Sequence, residues 1–287
     1  MSSPGPGGAL RVLIVNADDY GLTPAVSRGI LRAHRDGIVS STSVLTIAPG
    51  FRASAPALRD TPGIGVGAHL AAVGEDPPLL SAREVPTLVD EKGRLATSWR
   101  QFVPRMAAGR IDVEDLRREF AAQIACARQA GLTLGHVDTH QHLHLWPKVG
   151  AVVMDVAQAA GITALRIVRS TSRGPTGVTV RRLGARLERT ALARGFRFPA
   201  SGAGLDEAGT LDASRLVPAL ERLARTRGPS AELATHPGEP DDPERARYRW
   251  GYIWDSELDA LVDPEVRRRV SSLGFRLGTY ADLGAAA

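Results

Sequence analysis

In RVLIVNADDYGL, residues 11–22, an apolar run leads directly into two adjacent carboxylates. A short, continuous apolar run of this kind is typical of a strand that is buried on both faces of a parallel sheet. In a barrel built from such a sheet, the catalytic and binding residues lie at the carboxyl ends of the strands. Asp18 and Asp19 are therefore predicted to lie at the functional edge of the sheet.

Seven further β-rich runs follow along the chain. Amphipathic segments such as 24–37, 113–131, 149–161 and 213–228 separate most of them, and each of these ends in glycine, as helices often do. Repeated strand and helix predict an α/β fold with a parallel sheet. A TIM-like (β/α) barrel is favoured over an open doubly wound sheet, because no G-x-G-x-x-G turn follows the first run. The further runs lie at 40–48, 63–70, 134–140, 164–168, 196–200, 231–237 and 275–280.

The chain is predicted to form a single domain over residues 11–283, preceded by a flexible tail at residues 1–10 that is rich in Gly, Pro and Ser. Two stretches are too long for simple connections. Residues 71–111 are rich in Pro and Gly, and residues 238–255 mix aromatic and charged side chains. Insertions of this size in a compact domain tend to be lids or binding walls, so we expect both to be lid or substrate loops.

Composition argues against several function classes. The net charge of +5 is carried almost wholly by Arg, interleaved with acids as in DLRREF, which is typical of solvated helix faces rather than of a nucleic-acid surface. No apolar run approaches the roughly 18 residues that span a bilayer, and the N-terminal stretch lacks a leader pattern, so we expect a cytoplasmic protein. The single Cys126 excludes a disulfide framework within one chain.

Ionisable side chains recur where the predicted strands end. Because the carboxyl ends of barrel strands converge on one face, we expect these side chains to lie close together. The set contains five of the seven histidines of the chain. It consists of Asp18, Asp19, His69, Asp138, His140, His142, His144, Arg166 and His236.

An aspartate and two imidazoles from different strands can form a three-ligand site for a divalent metal ion, with positions left open for water. The paired carboxylates then have distinct uses, since Asp19 can ligate the ion while Asp18 stays uncoordinated as a general base. His236, in the sequence HPGE, can protonate a leaving amine or alcohol. The alternatives are a plain helix start capped by Thr23 and a hydrogen-bonded core role for His69.

Seven motifs stand in order from about residue 11 to 283: VNADDYGLTPAVSRGI, GIVSSTSVL, GVGAHL, HVDTHQHLHLWP, ALRIVR, ATHPGE and FRLGTYADL. Together they resemble the motifs of the YdjC-like carbohydrate deacetylase family. The resemblance implies a deformed TIM-like barrel and metal-dependent removal of an N-acetyl group from an amino sugar. Tyr20 departs from it, since phenylalanine is common at that position.

Matched by motif position, the resemblance implies that Asp19, His69 and His140 hold the metal ion, with Asp18 as the base and His236 as the acid. It further implies that an arginine orients a carboxylate or contacts the substrate. The residues assigned to substrate binding or to the support of the ligands are Asp138, His142, Arg166, Trp250 and Tyr252.

The sequence and the family resemblance favour different metal ions. Two imidazoles and a carboxylate favour Zn²⁺ or a similar ion such as Co²⁺ or Ni²⁺, whereas the resemblance implies Mg²⁺, which prefers oxygen ligands. The roles of His142 and His144 stay open. Trp250, Tyr252 and Trp254 can stack on a sugar ring, seal a core edge or form a homodimer contact.

The expected substrate is an amino sugar, either a small molecule or an oligosaccharide. Chitooligosaccharide, a glycolipid and a secondary-metabolite amino sugar stay open, because residues 71–111 and 170–215 match no chitooligosaccharide member clearly. Two other functions are also open: metal-dependent hydrolysis of another amide or a phosphodiester, and non-catalytic, metal-stabilised sugar binding.

Overall fold

The computed structural model describes residues 10–284, so the predicted flexible tail lies outside the described residues except for Leu10. Within this part of the chain, seven strands form one parallel sheet in the order β4-β3-β2-β1-β6-β5, with β7 paired to β1. Each predicted β-rich run contains a strand or a β-bridge. The strands are β1 (Arg11–Tyr20), β2 (Ser41–Val44), β3 (Gly65–Leu70), β4 (His136–Thr139), β5 (Ser201–Ala203), β6 (Ser230–Thr235) and β7 (Phe275–Leu277).

Two isolated bridges close the sheet into a barrel. Val137 on β4 pairs with Leu165, and Ala164 pairs with Arg197, a few residues before β5. These single contacts stand where a regular barrel has full strands, which makes the barrel deformed. The prediction of a TIM-like (β/α) barrel is confirmed.

The helices lie around the barrel between the strands. Helix α1 begins as the sequence predicts: the Thr23 hydroxyl accepts the Val26 amide at 3.0 Å, and Pro24 occupies the first turn. No helix among residues 10–284 is long and apolar enough to cross a membrane. The helices are α1 (Pro24–Arg35), α2 (Phe51–Arg59), α3 (Trp99–Ala107), α4 (Val113–Gln129), α5 (Pro147–Ala159), α6 (Pro175–Ala193), α7 (Ala213–Ala224), α8 (Trp254–Val262) and α9 (Pro264–Ser272).

Strand β1 is apolar on both faces because each face packs against a different core. Leu13 and Val15 belong to the large core between the sheet and the helices, whereas Val12 and Ile14 belong to a small cluster with Tyr280. Since alternate residues share a face, Asn16 and Asp18 continue the row of Val12 and Ile14. The interior row of β1 is therefore apolar at its start and polar at the mouth of the barrel.

A β-bulge ends the regular part of β1. The register against β2 shifts between Ala17 and Tyr20, and Asp19 has a φ of +66°. In a regular strand two successive side chains point to opposite faces. The bulge and the left-handed backbone instead allow both Asp18 and Asp19 to be buried at the same end of the barrel.

The two long segments predicted as lid or substrate loops meet above the barrel mouth. Buried Asp76 accepts the Tyr248 hydroxyl at 2.8 Å and pairs with Arg247 at 2.6 Å. Next to it, the Glu75 carboxylate accepts the Trp250 indole N–H at 3.1 Å. Segments 71–111 and 238–255 are thus tied together, and we call this pairing the Asp76 clamp.

Candidate metal centre and active site

Three buried side chains converge at the barrel mouth. Oδ1 of Asp19 lies 3.4 Å from Nε2 of His69 and 3.3 Å from Nδ1 of His140. One ligand atom from each of the three residues lies within 4.8 Å of the others. The ends of β1 and β3 and the turn after β4 supply them, which is the convergence that a parallel barrel produces.

The Asp19 oxygen that faces the imidazoles is buried, and no hydrogen-bond donor among residues 10–284 satisfies it. A buried carboxylate oxygen without a partner is costly, and a cation is one group that can satisfy it. One carboxylate and two imidazoles are also a familiar donor set for a divalent ion. The three residues therefore fit a divalent metal ion.

Asp138 on β4 fixes the orientation of His69. Its Oδ1 lies 2.7 Å from Nδ1 of the imidazole, so a proton on Nδ1 leaves Nε2 free on the side of Asp19. A carboxylate in this position holds the ring of a metal-ligating histidine and raises its basicity. Asp138 is buried and does not line the cavity above the metal centre.

Arg166 lies beneath the cluster and joins three carboxylates. It donates to both oxygens of Asp18, at 2.6 and 2.7 Å, and to Glu232 on β6 at 2.8 Å. It also pairs with Oδ2 of Asp138 at 2.6 Å. The guanidinium is buried and does not line the metal cavity, which places it on Asp18 and Asp138 rather than on a substrate.

Asp18 has further contacts besides those with Arg166. Beyond Arg166, its Oδ1 accepts the Asn16 side-chain amide at 2.7 Å and the Ser43 hydroxyl at 3.2 Å. Its Oδ2 lies 3.9 Å from Nε2 of His236. Asp18 thus presents Oδ2 towards the imidazole, with its orientation fixed from below.

The charge of the cluster is unbalanced. Burial opposes the ionisation of Asp18, Asp19 and Asp138, but Arg166 beside the first and third and His140 beside the second outweigh burial and lower the pKa of each carboxyl. The site holds four carboxyl groups, with Glu232 as the fourth, against the one guanidinium of Arg166. Burial lowers the pKa of His69, yet the surrounding carboxylates outweigh it and raise that pKa to about 9. Negative charge therefore exceeds the charge of the guanidinium, and the site favours a further positive charge, on His69 or on a bound cation.

A cavity of about 510 Å³ lies above the metal centre. Of the aromatic residues predicted at the site, Trp250 lies with its ring 5.1 Å from that of His140, and Tyr252 with its ring 4.8 Å from that of His236. Trp254 is buried against them. The predicted site residues that line this cavity are Asp18, Asp19, His69, His140, His142, His236, Trp250 and Tyr252.

The histidines after His140 take separate positions. His144 is buried, and its Nδ1 lies 2.7 Å from the Thr139 hydroxyl, which gives it a local structural contact. His142 has a φ of +54° and lies at the edge of the metal cavity. Neither belongs to the convergent group of Asp19, His69 and His140.

Several residues of the site are absent from the sequence prediction. Asn16, Ser43 and Glu232 contact Asp18 or Arg166, and Arg100 and Arg249 line the metal cavity. The inward row of β1 was a usable signal for Asn16, because it lies two residues before Asp18. Arg100 and Arg249 carry no such signal, since they stand in the irregular segments 71–111 and 238–255.

The fold and the site define a (β/α)-barrel protein with a candidate metal centre at the carboxyl ends of its strands. The chain belongs to the family described as YdjC-like protein, whose profile matches residues 12–272.

Similar proteins match along almost the whole chain. A chitooligosaccharide deacetylase from Serratia marcescens is 30% identical over 275 residues, which are 95% of this chain and 99% of that protein. A carbohydrate deacetylase from Geobacillus stearothermophilus is 30% identical over 272 residues, with coverage of 95% and 98%. A crystal structure of an Enterococcus faecalis V583 protein, named as a candidate for cellobiose-phosphate cleavage, superposes with a TM-score of 0.78 at 26% identity, covering 95% of this chain and 98% of that one.

We expect Gly209→Ala to displace Tyr252. Gly209 has a φ of +68°, and a Cβ at this position would lie 2.0 Å from the Tyr252 ring. The substitution should change the near-UV circular dichroism of the aromatic cluster and lower the free energy of unfolding by about 2–4 kcal/mol. Gly195→Ala is the matched control, since Gly195 has a φ of +75° but a Cβ there would meet no described atom within 4 Å. An unchanged spectrum in Gly209→Ala would contradict the packing described for Tyr252.

The buried Glu257 on α8 should make the stability of the protein depend on pH. Burial raises the pKa of its carboxyl to about 8, from 4.5 in an exposed glutamate, and the described chain offers neither of its oxygens a hydrogen-bond partner. Between these values the folded state keeps a proton that the unfolded state loses, so the free energy of unfolding falls as pH rises from about 4.5 to about 8.

Glu257→Gln removes this titration. Relative to the wild type, the variant should gain stability between pH 5 and pH 7.5, by up to about 3 kcal/mol. Urea unfolding at both pH values measures the change, and Asp259→Asn, at an exposed position of the same helix, is the control. Equal pH slopes for the wild type and Glu257→Gln would contradict a buried, protonated Glu257.

Proposed function

We propose that this protein is a metal-dependent hydrolase that removes the N-acetyl group from an amino-sugar substrate and releases acetate. The observation that carries the proposal is the convergence of Asp19, His69 and His140, with Asp18 fixed beside them at the floor of an open cavity. The names of the full-length relatives, chitooligosaccharide deacetylase and carbohydrate deacetylase, support the same reaction class.

Asp19, His69 and His140 would hold the ion. Bound there, a divalent cation supplies Lewis-acid activation of water and of the acetamide carbonyl. The donor set favours Zn²⁺, Co²⁺ or Ni²⁺ over Mg²⁺, because two of the three ligands are imidazoles.

In the proposed reaction Asp18 takes a proton from the attacking water. Asn16, Ser43 and Arg166 occupy its other lone pairs and fix the carboxylate, so that little reorganisation is needed when the proton moves. The water oxygen forms a bond to the acetamide carbon, and the bond from that carbon to the sugar nitrogen then breaks. Acetate and a free amine result.

His236 stands where it can protonate the departing amine. Its Nε2 faces Oδ2 of Asp18 at 3.9 Å, so the proton taken from water at Asp18 lies close to the imidazole that delivers a proton to nitrogen. The ring of Tyr252 packs against that of His236, with the ring centroids 4.8 Å apart, and both side chains line the cavity.

We assign the sugar to the cavity between segments 71–111 and 238–255. Glu75, Trp99 and Arg100 line it from the first segment, and Trp250 and Tyr252 line it from the second. Aromatic faces next to a few charged groups are suited to a sugar ring, which has an apolar face and a polar rim. In this proposal the two segments are the substrate loops.

A phosphorylated sugar is a second candidate substrate. Arg100 and Arg249 line the metal cavity, and arginine is well suited to phosphate. The name of the Enterococcus faecalis protein also refers to a sugar phosphate.

Acetate release from a panel of N-acetylated sugars tests the proposal. The panel contains N-acetylglucosamine, its disaccharide and its 6-phosphate, each assayed with metal-stripped protein and after addition of Zn²⁺, Co²⁺, Ni²⁺ or Mg²⁺. We expect release only with metal, and faster release with an ion that accepts imidazole ligands. Stoichiometric metal binding without acetate release from any sugar would contradict deacetylation, and faster acetate release from the 6-phosphate than from N-acetylglucosamine would favour the second candidate.

Two substitutions distinguish the role of the proposed base, Asp18, from that of a proposed metal ligand, His69. Asp18→Asn should lower kcat about 10²–10⁴-fold while the protein still binds the ion, because the base is lost and the three ligands remain. His69→Ala should lose both activity and metal, measured by elemental analysis after gel filtration. His34→Ala, on α1 and outside the cluster, is the control. Wild-type turnover in Asp18→Asn would show that Asp18 is not the base.

A further inference from the structure

A second cavity, of about 460 Å³, opens beside the metal cavity. The two cavities share the side chains of Trp99, Gln141, His142 and Leu205. The two cavities therefore adjoin along these side chains, and a molecule bound at the metal centre lies next to the second cavity. We call the second cavity the apolar groove, and its apolar wall consists of Trp99, Leu145, Trp146, Val180, Leu183 and Leu205.

The walls of the apolar groove come from separate parts of the chain. Trp99 and Trp146 stack with their ring centroids 6.4 Å apart and their planes at 28°. Val180 and Leu183 belong to α6, which packs against the outside of the barrel. All four side chains are only partly buried, so their apolar surface stays open to the groove.

Two polar side chains of the apolar groove, Gln141 and Asp206, are occupied by hydrogen bonds within the protein, whereas Nδ1 of His142 has no partner in the described chain. Gln141 accepts the Trp99 amide at 2.9 Å and donates to the Thr97 carbonyl at 3.1 Å. Asp206 accepts the Ser170 hydroxyl at 2.6 Å and backbone amides of the same loop. A second sugar ring would need several free donors and acceptors, whereas a hydrocarbon needs none.

We propose that the apolar groove binds an apolar aglycone, a hydrocarbon group linked to the amino sugar that is deacetylated at the metal centre. The inference rests on the proposed function and narrows its substrate class to glycosides with such an aglycone. Three observations carry it: the shared boundary of the two cavities, the aromatic and aliphatic walls, and the pairing of Gln141 and Asp206 within the protein. The volume lies within the range of about 300–1,000 Å³ found for small-molecule sites.

The first test compares kcat/KM for two glycosides of N-acetylglucosamine of the same anomer, methyl and n-hexyl. We expect the hexyl glycoside to be preferred about tenfold or more, because each methylene removed from water favours binding several-fold. N,N′-Diacetylchitobiose and the methyl glycoside of N-hexanoylglucosamine represent the competing occupants, a second sugar ring and a longer acyl chain. If kcat/KM exceeds that of the methyl glycoside for either of these compounds but not for the hexyl glycoside, the proposal is overturned.

Charged substitutions test whether the preference for the hexyl glycoside arises in the apolar groove. Leu183→Asp should abolish the preference for the hexyl glycoside, expressed as the ratio of the two kcat/KM values within one variant. Thr179→Asp repeats the test at an exposed groove position where no packed side chain is lost. Leu192→Asp, at an exposed position of the same helix that does not line the groove, is the matched control and should keep the preference. An equal loss in Leu192→Asp, or a preference unchanged in both groove variants, overturns the proposal.

A binding experiment separates this inference from the proposed function. n-Hexyl glucoside carries the hydrocarbon but no acetamide, so its effect on tryptophan fluorescence reports the groove without requiring turnover. One outcome is saturable binding of hexyl glucoside, weakened in Leu183→Asp and Thr179→Asp, with no acetate release from any sugar. That outcome supports binding in the apolar groove and contradicts the proposed deacetylase activity. Acetate release without hexyl glucoside binding and without a hexyl preference supports the deacetylase and overturns the groove.

Discussion

The arrangement of the barrel mouth depends on one buried guanidinium. Arg166, directly after the bridge that closes the barrel, contacts Asp18 on β1, Asp138 on β4 and Glu232 on β6. Loss of one partner from such a buried network leaves a charge uncompensated and costs about 3–5 kcal/mol. The orientation of Asp18 follows directly from these contacts, and that of His69 follows through Asp138. The orientation of these side chains at the barrel mouth and the contacts between β1, β4 and β6 therefore share one set of interactions.

Two features of Asp19 lower the stability of the folded protein. Its backbone lies in the left-handed region, which costs roughly 1–3 kcal/mol for a residue other than glycine, and its Oδ1 is buried without a donor in the described chain. Both costs fall on the residue whose Oδ1 faces His69 and His140. Structures give up stability in this way where function requires it, and the remainder of β1, paired on both sides, holds the bulge in place.

Much of this fold is readable from short-range patterns. Apolar runs indicated the strands, and Thr23 indicated the start of α1. Carboxylates and histidines after the strands indicated the barrel mouth. Each of these signals depends on a few neighbouring residues. The partners of these groups are not local. Arg166 is 148 positions from Asp18, and Glu257 is buried in a helix whose acidic sequence is typical of solvent-facing positions. The roles assigned to Asp18, His236 and the metal ligands stay predictions, whereas their proximity is a structural fact.

The Asp76 clamp has a consequence for how substrate preference can change within the family. Segments 71–111 and 238–255 form one hydrogen-bonded roof, since Asp76 and Glu75 on the first hold Arg247, Tyr248 and Trp250 on the second. Replacing segment 238–255 with one that lacks Arg247 and Tyr248 would leave buried Asp76 without these partners. A chimaera between family members that keeps this contact therefore has to take both segments from the same parent.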